Sequence, residues 1–218
     1  MKRQITLTTA FLLILGTVMA QQSNFEKTMM EALNQLDKAK STTELQDVSG
    51  KFERIARVET ERWEPYYYHA MILINLSFSE KDRERKDALL DDAQKGIDKA
   101  LECNGNKSEL HALQGFLYQG RLQVSPARAA NYSRKAAEIL GQAVGEDPAN
   151  PRALYLLGMN LYYTPKAFDG GASAALPKFL EAKKMFEMQQ EQVNSELLPK
   201  WGAEMNQGMI DACNRQNN

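Results

Sequence analysis

The sequence predicts an all-α protein made of repeated helix pairs stacked in register, and three observations carry that prediction. Beyond residue 22 the apolar residues recur at spacings of three and four, and no stretch alternates with period two for long enough to make a strand. A short pattern centred on a small residue occurs three times, and a second small-residue pattern follows each copy. The chain length from each second pattern to the next first pattern is constant. Composition agrees: 218 residues, 43% of them hydrophobic, with a formal charge of −1, suffice for a sizeable core or an elongated array. No basic block or aromatic-plus-arginine cluster occurs, so a nucleic-acid partner is not expected.

The N-terminus stands apart. Lys2 and Arg3 precede an apolar run, Ala10 to Leu15, and Val18 to Ala20 supply a small-residue cleavage site. This pattern predicts a signal peptide over 1–20, cut after Ala20, and hence a periplasmic or secreted mature chain. The alternative is an uncleaved anchor. Against it, the apolar run is shorter than the ~20 residues a spanning helix needs, and threonines interrupt it. No membrane span is expected after cleavage. Cys103 and Cys213 are the two cysteines, too few for a disulfide-stapled secreted fold, so two free, half-buried thiols are expected.

The remainder, 21–218, reads as one helical domain. Over 23–58, Phe25, Met29, Leu33 and Leu36 share one helical face, and Leu45, Val48, Phe52 and Ile55 share the next. Ser41-Thr-Thr-Glu44 reads as a capping box that opens the second of these helices. Pro65 suits the first position of a third helix, where its missing N–H has no partner to lose. The first repeat, 62–103, carries Tyr66-x-x-His69-Ala70-x-x-Leu73 and then Ala93-x-x-x-Ile97-x-x-Ala100. The second, 107–146, carries His111-x-x-Gln114-Gly115-x-x-Tyr118 and then Ala136-x-x-x-Leu140-x-x-Ala143. The third, 150–190, carries Leu154-x-x-Leu157-Gly158-x-x-Leu161 and then Ala175-x-x-x-Phe179-x-x-Ala182. Small residues at these places let two helices approach and bury a bulkier neighbour. From Pro199, a capping helix over 199–214 would place Trp201, Met205, Met209 and Cys213 on one stripe, covering the last apolar face.

These patterns resemble the tetratricopeptide repeat, a helix–turn–helix of 34 residues with W-x₂-L-G-x₂-Y on its first helix and A-x₃-F then P on its second. Asp147-Pro148-Ala-Asn150-Pro151 is similar to the family's inter-repeat turn, and the resemblance covers roughly 60–190. It implies a right-handed helical-hairpin array of about three repeats, plus a degenerate N-terminal pair and the cap. Ile55 to Ala70, Ala100 to Gly115 and Ala143 to Gly158 each span 15 residues, as the family requires. Within a repeat the family spans about 12 residues between the two small positions, whereas this chain spans 23, 21 and 17. The surplus therefore falls between the two helices of each repeat, where it is expected to hang off one edge as loops.

Tyr162 to Phe179, YYTPKAFDGGASAALPKF, holds the shortest surplus. Its Asp-Gly-Gly could cradle an anion at a helix start. The glycine and lysine pattern of a phosphate loop is absent, however, and no strand precedes it, so a structural turn is expected.

No catalytic residue, metal site or cofactor is predicted, and the chain is not expected to be an enzyme. His69 and His111 are the two histidines, and neither has a cysteine or acid at metal spacing. No nucleophile motif occurs. The resemblance implies a groove lined by the first helices. Carried over residue by residue, its lining is Tyr67, Met71 and Ile74, then Ala112, Phe116 and Gln119, then Tyr155, Met159 and Tyr162, with Asn75 and Tyr163 beside them. Tyrosine and methionine suit a binding surface, while the competing reading is that these side chains pack as plain core. The resemblance thus implies a periplasmic or secreted non-catalytic adaptor that mediates protein–protein or protein–peptide interaction through its concave face, with a partner of unknown identity. The alternatives are a ligand-handling accessory protein of an envelope transport system and a homo-oligomeric structural protein, and the oligomeric state is left open.

Overall fold

The computed structural model describes residues 22–191 and 196–217, and among these residues every regular element is helical. The predicted signal peptide lies outside the described residues. An N-terminal hairpin of α1 (22–36) and α2 (Thr42–Val58) precedes three pairs: α3 (Trp63–Ser79) with α4 (Arg83–Glu102), α5 (Lys107–Leu122) with α6 (Ala129–Glu146), and α7 (Pro151–Tyr163) with α8 (Ala172–Glu191). A last helix, α9 (Ala203–Asn217), packs on α8. Each helix packs chiefly on its chain neighbours, and α5 also touches α3 and α7, the first helices on either side. The fold is an all-α, right-handed array of helical hairpins.

Local sequence explains where helices start. Ser41 Oγ accepts from the Glu44 N–H while the Glu44 carboxylate accepts from the Ser41 N–H, which closes the expected capping box. Asp82, Asn106 and Asn150 cap α4, α5 and α7 through their side-chain oxygens. Pro65 is the third residue of α3 rather than the first, a position whose N–H equally lacks an intrahelical partner.

The repeat positions occupy matching seats. Ala70, Gly115 and Gly158 are buried against the second helix of their own repeat. A Cβ added to Gly115 would lie 2.5 Å from Leu140, and one added to Gly158 would lie 2.7 Å from Phe179. Ala70 keeps its Cβ, and its close neighbour on α4 is Gly96, one position before the Ile97 that matches Leu140 and Phe179. One partner or the other must lack bulk for the helices to close.

The surplus length behaves differently from expectation. Only Glu80–Asp82 separate α3 from α4, so the first insertion lengthens both helices instead of forming a loop. The physical reason is burial: Leu76 and Leu90 lie in the added turns, both buried, and Leu90 closes on Gly120 of α5. Asp87, also in an added turn, accepts from Arg121 and Arg128. Burial pushes its carboxyl up, but the hydrogen bonds and charge of the two guanidinium groups outweigh that and hold it below the ordinary carboxylate range. The third insertion is a true turn. After Pro165 a 3₁₀ turn (Lys166–Phe168) leads into Asp169 at φ 58° and Gly171 at φ 95°, and the Gly171 N–H is donated to Leu161 O at 2.9 Å. A Cβ on Gly170 would sit 2.1 Å from Thr164 O. The Gly170 and Gly171 N–H groups are donated to backbone carbonyls of Pro165 and of Leu161 in the last turn of α7, which answers the question of an anion cradle in favour of structure.

The C-terminal helix begins at Ala203, later than the expected Pro199. Gly202, at φ +114°, breaks the helical path, and Pro199 and Trp201 lie in the non-helical segment before it. Two cores result. One gathers α1 to α5 with Leu197, the other α5 to α9, and Phe116, Tyr118 and Trp201 pack against both.

Candidate binding face

The first helices α3, α5 and α7 form one face of the array, and the segment Leu197–Trp201 crosses part of it. Leu197 is buried, and its carbonyl accepts from Tyr68 Oη at 3.0 Å. Trp201 Nε1 donates to Tyr67 Oη at 2.9 Å, and its indole stacks on Phe116 with centroids 5.8 Å apart.

Beneath the segment lies a buried polar chain. Tyr67 Oη is directed at Glu109 Oε2 at 3.4 Å. Glu109 is bound bidentately by Arg152, with Nε to Oε2 at 2.8 Å and Nη2 to Oε1 at 2.6 Å, and Arg152 Nη1 donates to Gln189 at 2.9 Å. The Arg152 side chain is 1% exposed and that of Glu109 8%. These groups tie all three repeats together. Sequence reasoning missed them because each looks, on its own, like a solvated charge near a helix start.

The residues expected to line a groove separate into two groups. Tyr67, Met71, Gln119 and Tyr155 are buried. Gln119 Nε2 donates to Leu156 O at 2.8 Å, clipping α5 to α7, and Tyr155 packs against Phe179 with centroids 6.1 Å apart. Ile74 and Ala112 are fully buried as well. The others reach the surface. Phe116 is half-buried between Phe78 and Trp201. Met159 and Tyr162 are half-buried on α7, and Tyr163 is 70% exposed with its ring edge-on to Tyr162. Tyr162 Oη accepts from Gln216 of α9 at 2.6 Å. Asn75 is exposed and donates to Met71 O. Phe116, Met159, Tyr162 and Trp201 thus leave aromatic and thioether surface partly open on α5, α7 and the crossing segment.

Burial pushes the phenols of Tyr67 and Tyr68 well up and that of Tyr155 to about 12. An unfolded phenol ionises near 10, so these groups stabilise the fold fully below about pH 10 and lose that contribution as pH climbs through the raised values. An alkaline titration should show part of the 295 nm tyrosinate absorbance appearing only together with loss of helical circular dichroism. Full ionisation of all eight tyrosines while the helices persist would contradict this.

Metal-type donors lie elsewhere. His69 Nδ1 lies 2.9 Å from Ser49 Oγ on α2, and His111 Nδ1 lies 2.9 Å from Glu146 Oε2 on α6. Cys103 is half-buried and Cys213 fully buried, both free. Among the described residues no three His, Cys, Asp or Glu side chains come together as metal ligands would, and no helix is long and apolar enough to cross a membrane. A cleft of about 400 Å³ opens between α1 and α2, lined by Phe25, Ala32, Ile55 and Val58.

No family model and no curated protein matches the chain. Solved structures do. The HusA haemophore from Porphyromonas gingivalis superposes with a TM-score of 0.77 at 28% identity, over 90% of this chain and 94% of its own. A thermophilic tetratricopeptide-repeat protein of Thermus thermophilus superposes with a TM-score of 0.53 at 15% identity, over 92% of this chain and 96% of its own. The chain therefore has a tetratricopeptide-like helical array, and its course follows that of a haemophore almost from end to end.

Proposed function

We propose that the mature chain is a non-catalytic carrier, exported to the periplasm or beyond, that holds a large flat ligand of the haem class on its first-helix face. The observation that carries this reading is the similarity to a haemophore over nearly the whole length of both chains. The face suits such a ligand. The outer face of the Trp201 indole, backed by Phe116, offers a stacking surface to a porphyrin plane. Met159 and Tyr162 hold a thioether and a phenol half-exposed on α7, a neighbouring first helix, and both are donor types that haem iron accepts. The two histidines turn toward α2 and α6 rather than toward this surface, so histidine ligation of a ligand held here is not expected.

Titrating the mature protein with haemin should give a saturable Soret change, and Phe116→Ala should weaken binding about tenfold with helicity unchanged. The iron-free porphyrin should compete. Absence of saturable binding to either would refute the carrier reading.

A second reading is the protein or peptide adaptor that the repeat resemblance implies. One specific observation favours it: the non-helical segment Leu197–Trp201 already lies across the first-helix face, as a bound peptide would.

A further inference from the structure

The segment Leu197–Trp201 packs unlike the rest of the core. It is non-helical, and its anchors on the face beneath include Tyr68 Oη to Leu197 O, Trp201 Nε1 to Tyr67 Oη, and the Phe116 ring under the indole. Leu197 and Pro199 are buried while Lys200 is exposed, so the segment shows one side to the protein and one to water. A hollow of about 210 Å³ remains beside Leu198 and Pro199, bounded by Glu109, Arg152 and Met185. The buried ion pair below does not depend on the segment, because Arg152 is held by Glu109 and Gln189. Lifting the segment would leave Tyr67 Oη still directed at Glu109 and would orphan no buried charge.

We infer that Leu197–Trp201 is a displaceable occupant of the first-helix face, and that the stretch beneath it recognises an extended peptide of the pattern Leu-x-Pro-x-Trp. In the chain alone this site is filled in cis. A partner segment with an aliphatic residue, a proline and an indole at that spacing takes the same anchors: the Tyr68 hydroxyl for a main-chain carbonyl, the Tyr67 hydroxyl for the indole N–H, and the Phe116 ring for the indole face. The proposal rests on the reading that the first helices form the binding face. It also couples the two ligands, because a partner peptide displaces the Trp201 indole on which the porphyrin plane would stack.

The test uses the full mature chain and a dye-labelled peptide, ELLPKWGA, which reproduces residues 196–203. The variant Trp201→Ala should bind this peptide at least tenfold more tightly than the parent, because the cis occupant is weakened. The same peptide with its tryptophan replaced by alanine should not bind. A Trp201→Ala protein that keeps the parent's helical signal yet binds no peptide, or that binds it no better than the parent, overturns the inference. Should Trp201→Ala lose its fold, Tyr68→Phe supplies the answer, since it deletes one hydroxyl and keeps the ring. It should speed amide exchange at Leu198, Lys200 and Trp201 about five-fold while α9 is unchanged. Exchange of those amides only through global unfolding would show the segment to be core and would overturn the inference. Haemin titration of the same proteins is read separately. Peptide binding without haemin binding removes the carrier reading and leaves this one standing, and the reverse removes this one alone.

Discussion

Replacing Arg152 by alanine is expected to lower the stability of the folded chain by about 3–5 kcal/mol, because the Glu109 carboxylate would stay buried with its bidentate partner gone. For a chain of this length that corresponds to a fall in the thermal midpoint of roughly 10 °C. The loss comes from stranding one charge rather than from any large net value of the pair, since two charges taken out of water lose hydration that their mutual attraction only partly returns. The double variant Arg152→Met with Glu109→Leu should therefore recover most of the loss. Thermal and urea melts followed at 222 nm would measure both. A cost for Arg152→Ala under about 1 kcal/mol, the range of an exposed pair, would mean that the guanidinium is hydrated in solution.

The seat shared by Gly158 and Phe179 should be nearly as sensitive. Phe179 is fully buried and lies where a Cβ on Gly158 would intrude at 2.7 Å. Phe179→Ala should cost about 3–5 kcal/mol through lost transfer energy and the cavity left behind. Gly158→Leu alone should also destabilise, because the added side chain has nowhere to go. In the double variant the new leucine can enter the space the ring vacates, so the two costs should be far from additive and the pair more stable than Phe179→Ala alone. Additive costs in urea melts would show that the two positions do not share a seat.

Much of this architecture is legible in the sequence because it is written locally. The Ser41–Glu44 box depends on two residues three apart, and the seats at Ala70, Gly115 and Gly158 on patterns contained within single helices. The buried ion pair was within reach of a reading across repeats. Glu64, Glu109 and Arg152 each stand six residues before the small residue of their repeat, so opposite charges meet where the second and third repeats stack. Two features leave no such trace. Whether surplus residues lengthen helices or form loops depends on whether their apolar side chains find a facing surface, as Leu90 does at Gly120. The seat of Trp201 lies 134 positions away at Tyr67, and no periodicity encodes it. The candidate face is correspondingly half legible: the positions of Phe116, Met159, Tyr162 and Tyr163 follow from repeat register, while the covering of Tyr67 follows from a tertiary contact.

The span from Tyr67 to Trp201 also alters how such a molecule should come apart. A linear stack frays from its ends, each unit held only by the next, and its free energy is close to a sum of nearest-neighbour terms. Here the segment Leu197–Trp201 reaches back from the third repeat to α3 of the first, so while it is seated the three repeats are closed by one clasp, and lifting it returns them to a linear stack. That closure joins residues far apart in sequence, which slows folding and concentrates cooperativity at the clasp.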